Sequence, residues 1–262
     1  MINFFLGLNP VTQALIATIF TWFVTLLGSL LVIFFKSVNK NIMDGMLGFA
    51  AGIMIAVSFF SLLSPAIDMA KKLNLKIYIV TSVGFFLGGL LLFIGDKVFD
   101  HFSKYNNSST KRVLMLVLSI TLHNIPEGLA VGVAFGSVFY GIDGATIGSA
   151  CILALGIGLQ NFPEGTAVSV PLRREGMSIK KAFFYGQLSG IVEPISGVIG
   201  ALLVLKVRLI LPFLLSFAAG AMIYVVIQEL IPASQSNKKK ELMALFSLIG
   251  FVLMMVLDIA LS

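Results

Sequence analysis

Two apolar stretches contain nearly the same polar insertion, HNIPEG at residues 123–128 and QNFPEG at residues 160–165. Each insertion places a glutamate, Glu127 or Glu164, near the middle of a segment that otherwise has the composition of a membrane span. A charged side chain at that depth costs at least ~2.5–3.5 kcal/mol. A bound cation would offset this cost, so the two insertions predict a cation site inside a membrane protein.

The composition assigns the chain to the membrane class. Of the 262 residues, 58% are hydrophobic and only 11% are charged, well outside the range of soluble globular domains. We therefore predict an all-α membrane protein, in which residues 1–262 form a single multi-pass domain of eight transmembrane helices. Long continuous apolar runs argue against a β-barrel. The predicted spans are 11–35, 45–67, 77–95, 113–140, 145–172, 177–205, 209–232 and 242–261.

Basic residues predict the orientation. An even number of spans puts both termini on one side, and only five of the 18 Lys and Arg residues fall on that side: Lys71, Lys72, Lys76, Lys206 and Arg208. The positive-inside rule makes the opposite side cytoplasmic and leaves both termini outside. Because the basic residues are spread over separate loops, the net charge of +6 does not predict a nucleic-acid partner.

The second and seventh spans share a motif. FAAGIM at residues 49–54 reappears as FAAGAM at residues 217–222, and a proline follows each copy, Pro65 and Pro232. The two spans cross in opposite directions, as do the fourth and fifth. These matches predict an inverted repeat of three, two and three spans, a design that places a transporter's binding site at midplane. Chance similarity between packed helices is the alternative.

Helical spacing brings the polar residues of the insertions together. His123 and Glu127 are four residues apart and share a face, as do Gln160 and Glu164. The sixth span adds a third deep carboxylate, Glu193. A set of nitrogen and oxygen ligands without thiolate suits zinc, iron(II), manganese or cadmium and argues against copper(I). The predicted metal ligands are His123, Asn124, Glu127, Gln160, Asn161, Glu164 and Glu193.

These motifs resemble those of the ZIP (Zrt/Irt-like) divalent metal transporters, particularly the bacterial GufA-like branch, and the resemblance covers essentially the whole chain. It implies uptake of a divalent transition metal toward the cytoplasm, zinc above all, across a bacterial inner membrane, and no enzymatic activity. The expected partners are the metal ion and the lipid bilayer, with a homodimer left open. The resemblance implies two adjacent ions, the first held by His123, Glu127, Gln160 and Glu164, and the second by Asn124, Asn161, Glu164 and Glu193, with Glu127 able to bridge.

Two residues depart from the family pattern. Many members have His where this chain has Gln160, and some have Asp or His in place of Asn161. An amide in place of a carboxylate removes one negative charge from the second ion position. The second position is therefore expected to be weaker than the first, or absent.

Three further carboxylates are candidates for the metal's route. Asp68 and Asp258 fall at the outer face in the predicted topology, where they could collect cations. Glu229 lies near the inner end of the seventh span, where it could receive a released ion. The alternative for each is an ordinary solvated carboxylate.

Two other functions compete with metal transport. An intramembrane zinc-dependent hydrolase could use the same glutamates, but it usually needs a general base beside an open coordination position, often within His-Glu-x-x-His. A proton-coupled carrier of an organic solute would often place an Arg or Lys at depth, where this sequence has neither.

Overall fold

The computed structural model describes residues 5, 7–34, 39–104, 109–139, 145–174, 176–206 and 208–261; of residues 99–104, 109–120, 122–123, 174, 205–206, 208 and 261 it describes the backbone alone. Within these ranges the chain forms helices and no β-strand, as predicted. The helices are α1 Pro10–Phe34, α2 Lys40–Lys72, α3 Ile77–Lys104, α4 Ser109–Val138, α5 Ile147–Arg174, α6 Ile179–Leu188 continuing through Val192–Lys206, α7 Leu211–Gln235 and α8 Lys240–Leu261.

Each of the eight helices corresponds to one predicted apolar run. Over the described residues, six of them are long and apolar enough to cross a membrane: α1, α2, α3, α6, α7 and α8. The other two, α4 and α5, carry the polar insertions at residues 123–128 and 160–165.

The peripheral helices expose apolar side chains. Only 17% of the most apolar stretch of α3 or of α8 is buried, against 61% for α2 and α7. Phe86 on α3 is 67% exposed and Leu248 on α8 is 59% exposed. An apolar outer surface of this kind is suited to contact with lipid chains.

Two helices contain a widened, π-helical turn at corresponding places. The turn spans Val57–Leu63 in α2 and Val226–Leu230 in α7. Each turn ends shortly before a proline, Pro65 or Pro232, which has no N–H to donate to the preceding turn. By contrast, α4 continues through Pro126 without a break.

The helices pack in two groups. In the first, α1 packs against α5 and α4 packs against α6, with α1 also touching α4 and α6. In the second, α3 packs against α7 and α2 against α8. The groups meet where α2 contacts α5 and where α7 contacts α4. The polar insertions therefore lie in the first group and face the boundary with the second.

Candidate metal centre

The two insertions project into one interior cavity. Glu127 on α4 and Gln160 and Glu164 on α5 line a cavity of about 260 Å³, together with Glu229 on α7. Glu127 is 1% exposed and Gln160 is 2% exposed. The four-residue spacing places Gln160 and Glu164 on the same face of α5, as the sequence predicted. The cavity thus joins carboxylates from three helices.

The carboxylates that line this cavity, and Glu193 beside it, are close enough to repel one another. Glu127 interacts electrostatically with Glu193, and Glu164 interacts with both Glu127 and Glu229. The Gln160 side chain is within hydrogen-bonding reach of Glu127. This concentration of negative charge in a poorly solvated interior is unfavourable unless protons or a cation neutralise it.

Among the residues that the structure describes, three buried oxygen atoms in this region have no hydrogen-bond partner. They are Asn124 Oδ1, Glu127 Oε2 and Glu164 Oε1. The amide nitrogen of Asn124 is engaged, because it donates to the carbonyl oxygen of Ser189 at 3.0 Å. All three unpartnered atoms are acceptors, and buried polar atoms are normally paired. A cation that accepts electron pairs from oxygen would satisfy all three.

Glu193 has a different environment. Asn161 Nδ2 donates to both carboxylate oxygens of Glu193, at 2.9 and 3.0 Å, and the Thr21 hydroxyl donates to Oε2. The Thr25 hydroxyl is also within reach. Glu193 is completely buried, yet protein donors satisfy its carboxylate from α1 and α5.

One predicted ligand, His123, is described by its backbone alone. It lies on α4, and its side chain is outside the described residues. Among the side chains that are described, no group of three His, Cys, Asp or Glu is arranged to hold a metal ion. Amide oxygens, or the imidazole of His123, therefore have to complete any site built on Glu127 and Glu164.

Helix α1 contributes buried hydroxyl groups that the polar insertions do not predict. Thr18, Thr21, Thr25 and Ser29 are fully buried hydroxyl side chains on this helix. Their spacing of three and four residues places them on one face. This hydroxyl stripe within an apolar helix is the signal that could have predicted a face of α1 turned toward the buried polar side chains of α4, α5 and α6. We call these side chains the polar layer.

The three peripheral carboxylates lie in different surroundings. Glu229 lines the central cavity itself. Asp258 accepts a hydrogen bond from the Ser61 hydroxyl at 2.7 Å and lines a separate cavity of about 270 Å³. Asp68 is exposed on α2. The structure thus brings Glu229 to the candidate site and leaves Asp258 and Asp68 away from it.

Known proteins match this chain over nearly all of its length. A family model described as "ZIP Zinc transporter" matches residues 107–258. Zinc transporter ZIP11 of Bos taurus is 38% identical, and the match covers 98% of this chain and 99% of that protein. Zinc transporter GufA of Myxococcus xanthus is 33% identical over 95% of this chain and 98% of its own length. Zinc transporter ZIPB of Bordetella bronchiseptica is 34% identical over 91% of this chain and 78% of that protein.

Proposed function

The chain belongs to the ZIP family of zinc transporters, and on this premise we propose that it carries a divalent transition metal, chiefly zinc, across a membrane into the cytoplasm. Members of the family are transporters, so the family assignment favours transport over the hydrolase alternative. The observation that carries the proposal is the set of three buried, unpartnered oxygens on Asn124, Glu127 and Glu164. Fixed oxygen atoms at this depth offer a divalent ion replacements for its lost water ligands.

The proposed ligands of the transported ion are His123, Glu127, Gln160 and Glu164. Two carboxylates balance the ion's charge, and imidazole and amide complete a nitrogen and oxygen set of the kind zinc binds. The open Oδ1 of Asn124 lies in the same layer and can add a neutral oxygen. This mixed set also accepts cadmium, iron(II) or manganese, for which selectivity comes from geometry rather than ligand type.

We further propose that all eight helices cross the membrane and that α1–α3 and α6–α8 are inverted repeats. The two widened turns support this arrangement, since they occupy matching places in α2 and α7. The repeated motif supports it as well. A Cβ atom at Gly52 would lie 1.9 Å from a backbone oxygen of α8, and one at Gly220 would lie 1.9 Å from a backbone oxygen of α3. Under the repeat α2 matches α7 and α8 matches α3, so the two close contacts are equivalent.

The positions of the cavities favour an inward-open state. With both termini outside, Leu47, Ala167 and Ala233 lie toward the cytoplasmic ends of their helices, and all three line the central cavity. The second cavity, beside Asp258, lies toward the outer ends. Fully buried apolar side chains occupy the helical turns between the two cavities: Val57, Val131, Ile157 and Met222. These side chains close the site toward the outside.

The route of the ion follows from these cavities. We assign Asp258 to the outer cavity, where its carboxylate attracts cations, and Glu229 to the inward path, where it receives the ion from Glu164. Asp68 contributes negative charge at the outer surface.

The test is uptake of labelled zinc into proteoliposomes that contain the purified protein. Glu164→Ala should abolish most of the uptake, because it removes a carboxylate of the site. Glu241→Ala is the matched control, since Glu241 is an exposed carboxylate at the start of α8. Uptake by Glu164→Ala equal to that of the parent would refute the proposed site.

A further inference from the structure

The polar layer consists of an open half and a closed half. In the open half, Asn124, Glu127 and Glu164 each have a buried oxygen that has no partner among the described side chains and backbone. In the closed half, the side-chain oxygens of Asn161 and Glu193 are all hydrogen-bonded within the protein. The closed half contains two of the four ligands that the family resemblance implies for a second ion, Asn161 and Glu193, while the other two, Asn124 and Glu164, lie in the open half.

The carboxylate of Glu193 determines the orientation of the Asn161 amide. An amide nitrogen donates and a carboxylate oxygen accepts, and the Asn161 amide presents its nitrogen to Glu193. That nitrogen lies 2.9 and 3.0 Å from the two carboxylate oxygens and 3.2 Å from the carbonyl oxygen of Thr21. An amide nitrogen in this position cannot ligate a metal.

The Asn161 oxygen is occupied as well. Asn161 Oδ1 accepts a hydrogen bond from Gln160 Nε2 at 2.7 Å. If Asn161 turned its oxygen toward an ion beside Glu193, its amide nitrogen would face the amide nitrogen of Gln160, and two donors would oppose each other. The amides of Asn161 and Gln160 are therefore fixed together, and the carbonyl oxygen of Gln160 is the atom left to bind the transported ion.

We propose that the centre binds a single ion, because Asn161 and Thr21 hold Glu193 and so close the second ion position. This proposal rests on the proposed transport function and refines its site. Asn161 is a positioning residue, which orients Gln160 toward the ion without touching it. Glu193 is not a ligand of the ion. Its hydrogen bonds connect α6 to α1 and α5.

The experiment counts zinc ions bound to the purified full-length chain in detergent, by elemental analysis after equilibrium dialysis. The parent should bind one zinc ion per chain. Asn161→Asp should bind two, a twofold increase, because a second carboxylate opposite Glu193 removes the closing donor and adds a ligand. Glu193→Gln should still bind one, and because it introduces no new charge it provides a reading even if Asn161→Asp fails to fold.

The outcomes separate this proposal from the transport function. Two zinc ions on the parent, with one lost in Glu193→Gln, would overturn the single-ion centre while leaving metal binding intact. A folded Asn161→Asp variant that still bound one ion would overturn the role assigned to Asn161. A parent that bound no zinc would overturn the proposed function and the single-ion centre together.

Discussion

Replacing Glu127 by Gln preserves the shape of the side chain and removes one negative charge from the centre. Glu127 is 1% exposed and one of its oxygens has no partner in the described part of the chain, so an ion is its natural counter-charge. Two unit charges 4 Å apart interact by about 4 kcal/mol at an effective dielectric constant of 20, which doubles to about 8 kcal/mol for a divalent ion. Part of this is offset, because Glu164 and Glu193 repel Glu127 and the substitution relieves that repulsion.

A net loss of about 2.8 kcal/mol of binding free energy corresponds to a hundredfold weaker zinc affinity. We expect the affinity of Glu127→Gln to fall by at least this factor. Loss of a mere supporting partner of a metal ligand already reduces affinity about 10–100-fold. Equilibrium dialysis with zinc measures the change, and labelled uptake should fall in parallel. Glu241→Gln is the control, since it removes a similar charge at an exposed position. Zinc affinity in Glu127→Gln within threefold of the parent's would refute this reasoning.

Three further predictions follow from the same structure. Uptake should fall as the pH is lowered without an imposed proton gradient, because protons compete with metal for the carboxylates; acid-stimulated uptake would contradict this. Gly52→Ala should lower the free energy of unfolding by about 1–3 kcal/mol, because its Cβ would lie 1.9 Å from a backbone oxygen. Gly89→Ala, whose Cβ would have its nearest neighbour at 3.5 Å, should have the melting temperature of the parent. In a Cys151→Ser background, an impermeant thiol reagent should label Lys71→Cys from outside the cell and Lys239→Cys only after permeabilisation; the reverse pattern would invert the topology.

The sequence predicted the helices and the polar layer because both depend on local patterns. Continuous apolar runs marked the helices, and four-residue spacing placed Gln160 beside Glu164 on one face. Depth along the spans placed Glu193 in the same layer as Glu127, and the structure brings the two close enough to repel each other.

The neighbours of Glu193 could not be predicted in the same way. Hydropathy does not determine which helices pack together, so nothing in the sequence paired α1 with α5 and α6. Thr21 is only weakly polar, and its hydroxyl has an alternative acceptor in its own helix, the carbonyl oxygen of Thr18 at 3.0 Å. Taken singly, it looks like an ordinary residue of a membrane span.

Glu229 lies in a part of α7 where the regular α-helical geometry is not followed. Glu229 lies within the widened turn Val226–Leu230. Such a turn adds a residue to the helical repeat and rotates the residues that follow it. Its position in the sequence placed Glu229 near the inner end of the seventh span, and the structure shows that it also lines the central cavity.

The most direct measurement is an anomalous difference map from crystals of the full-length protein soaked in cadmium. We predict one strong peak between Glu127 and Glu164, within bonding distance of oxygen atoms of both side chains. A map with no peak between these two carboxylates, although cadmium is bound elsewhere on the protein, would contradict the claim that the buried oxygens form the ion site.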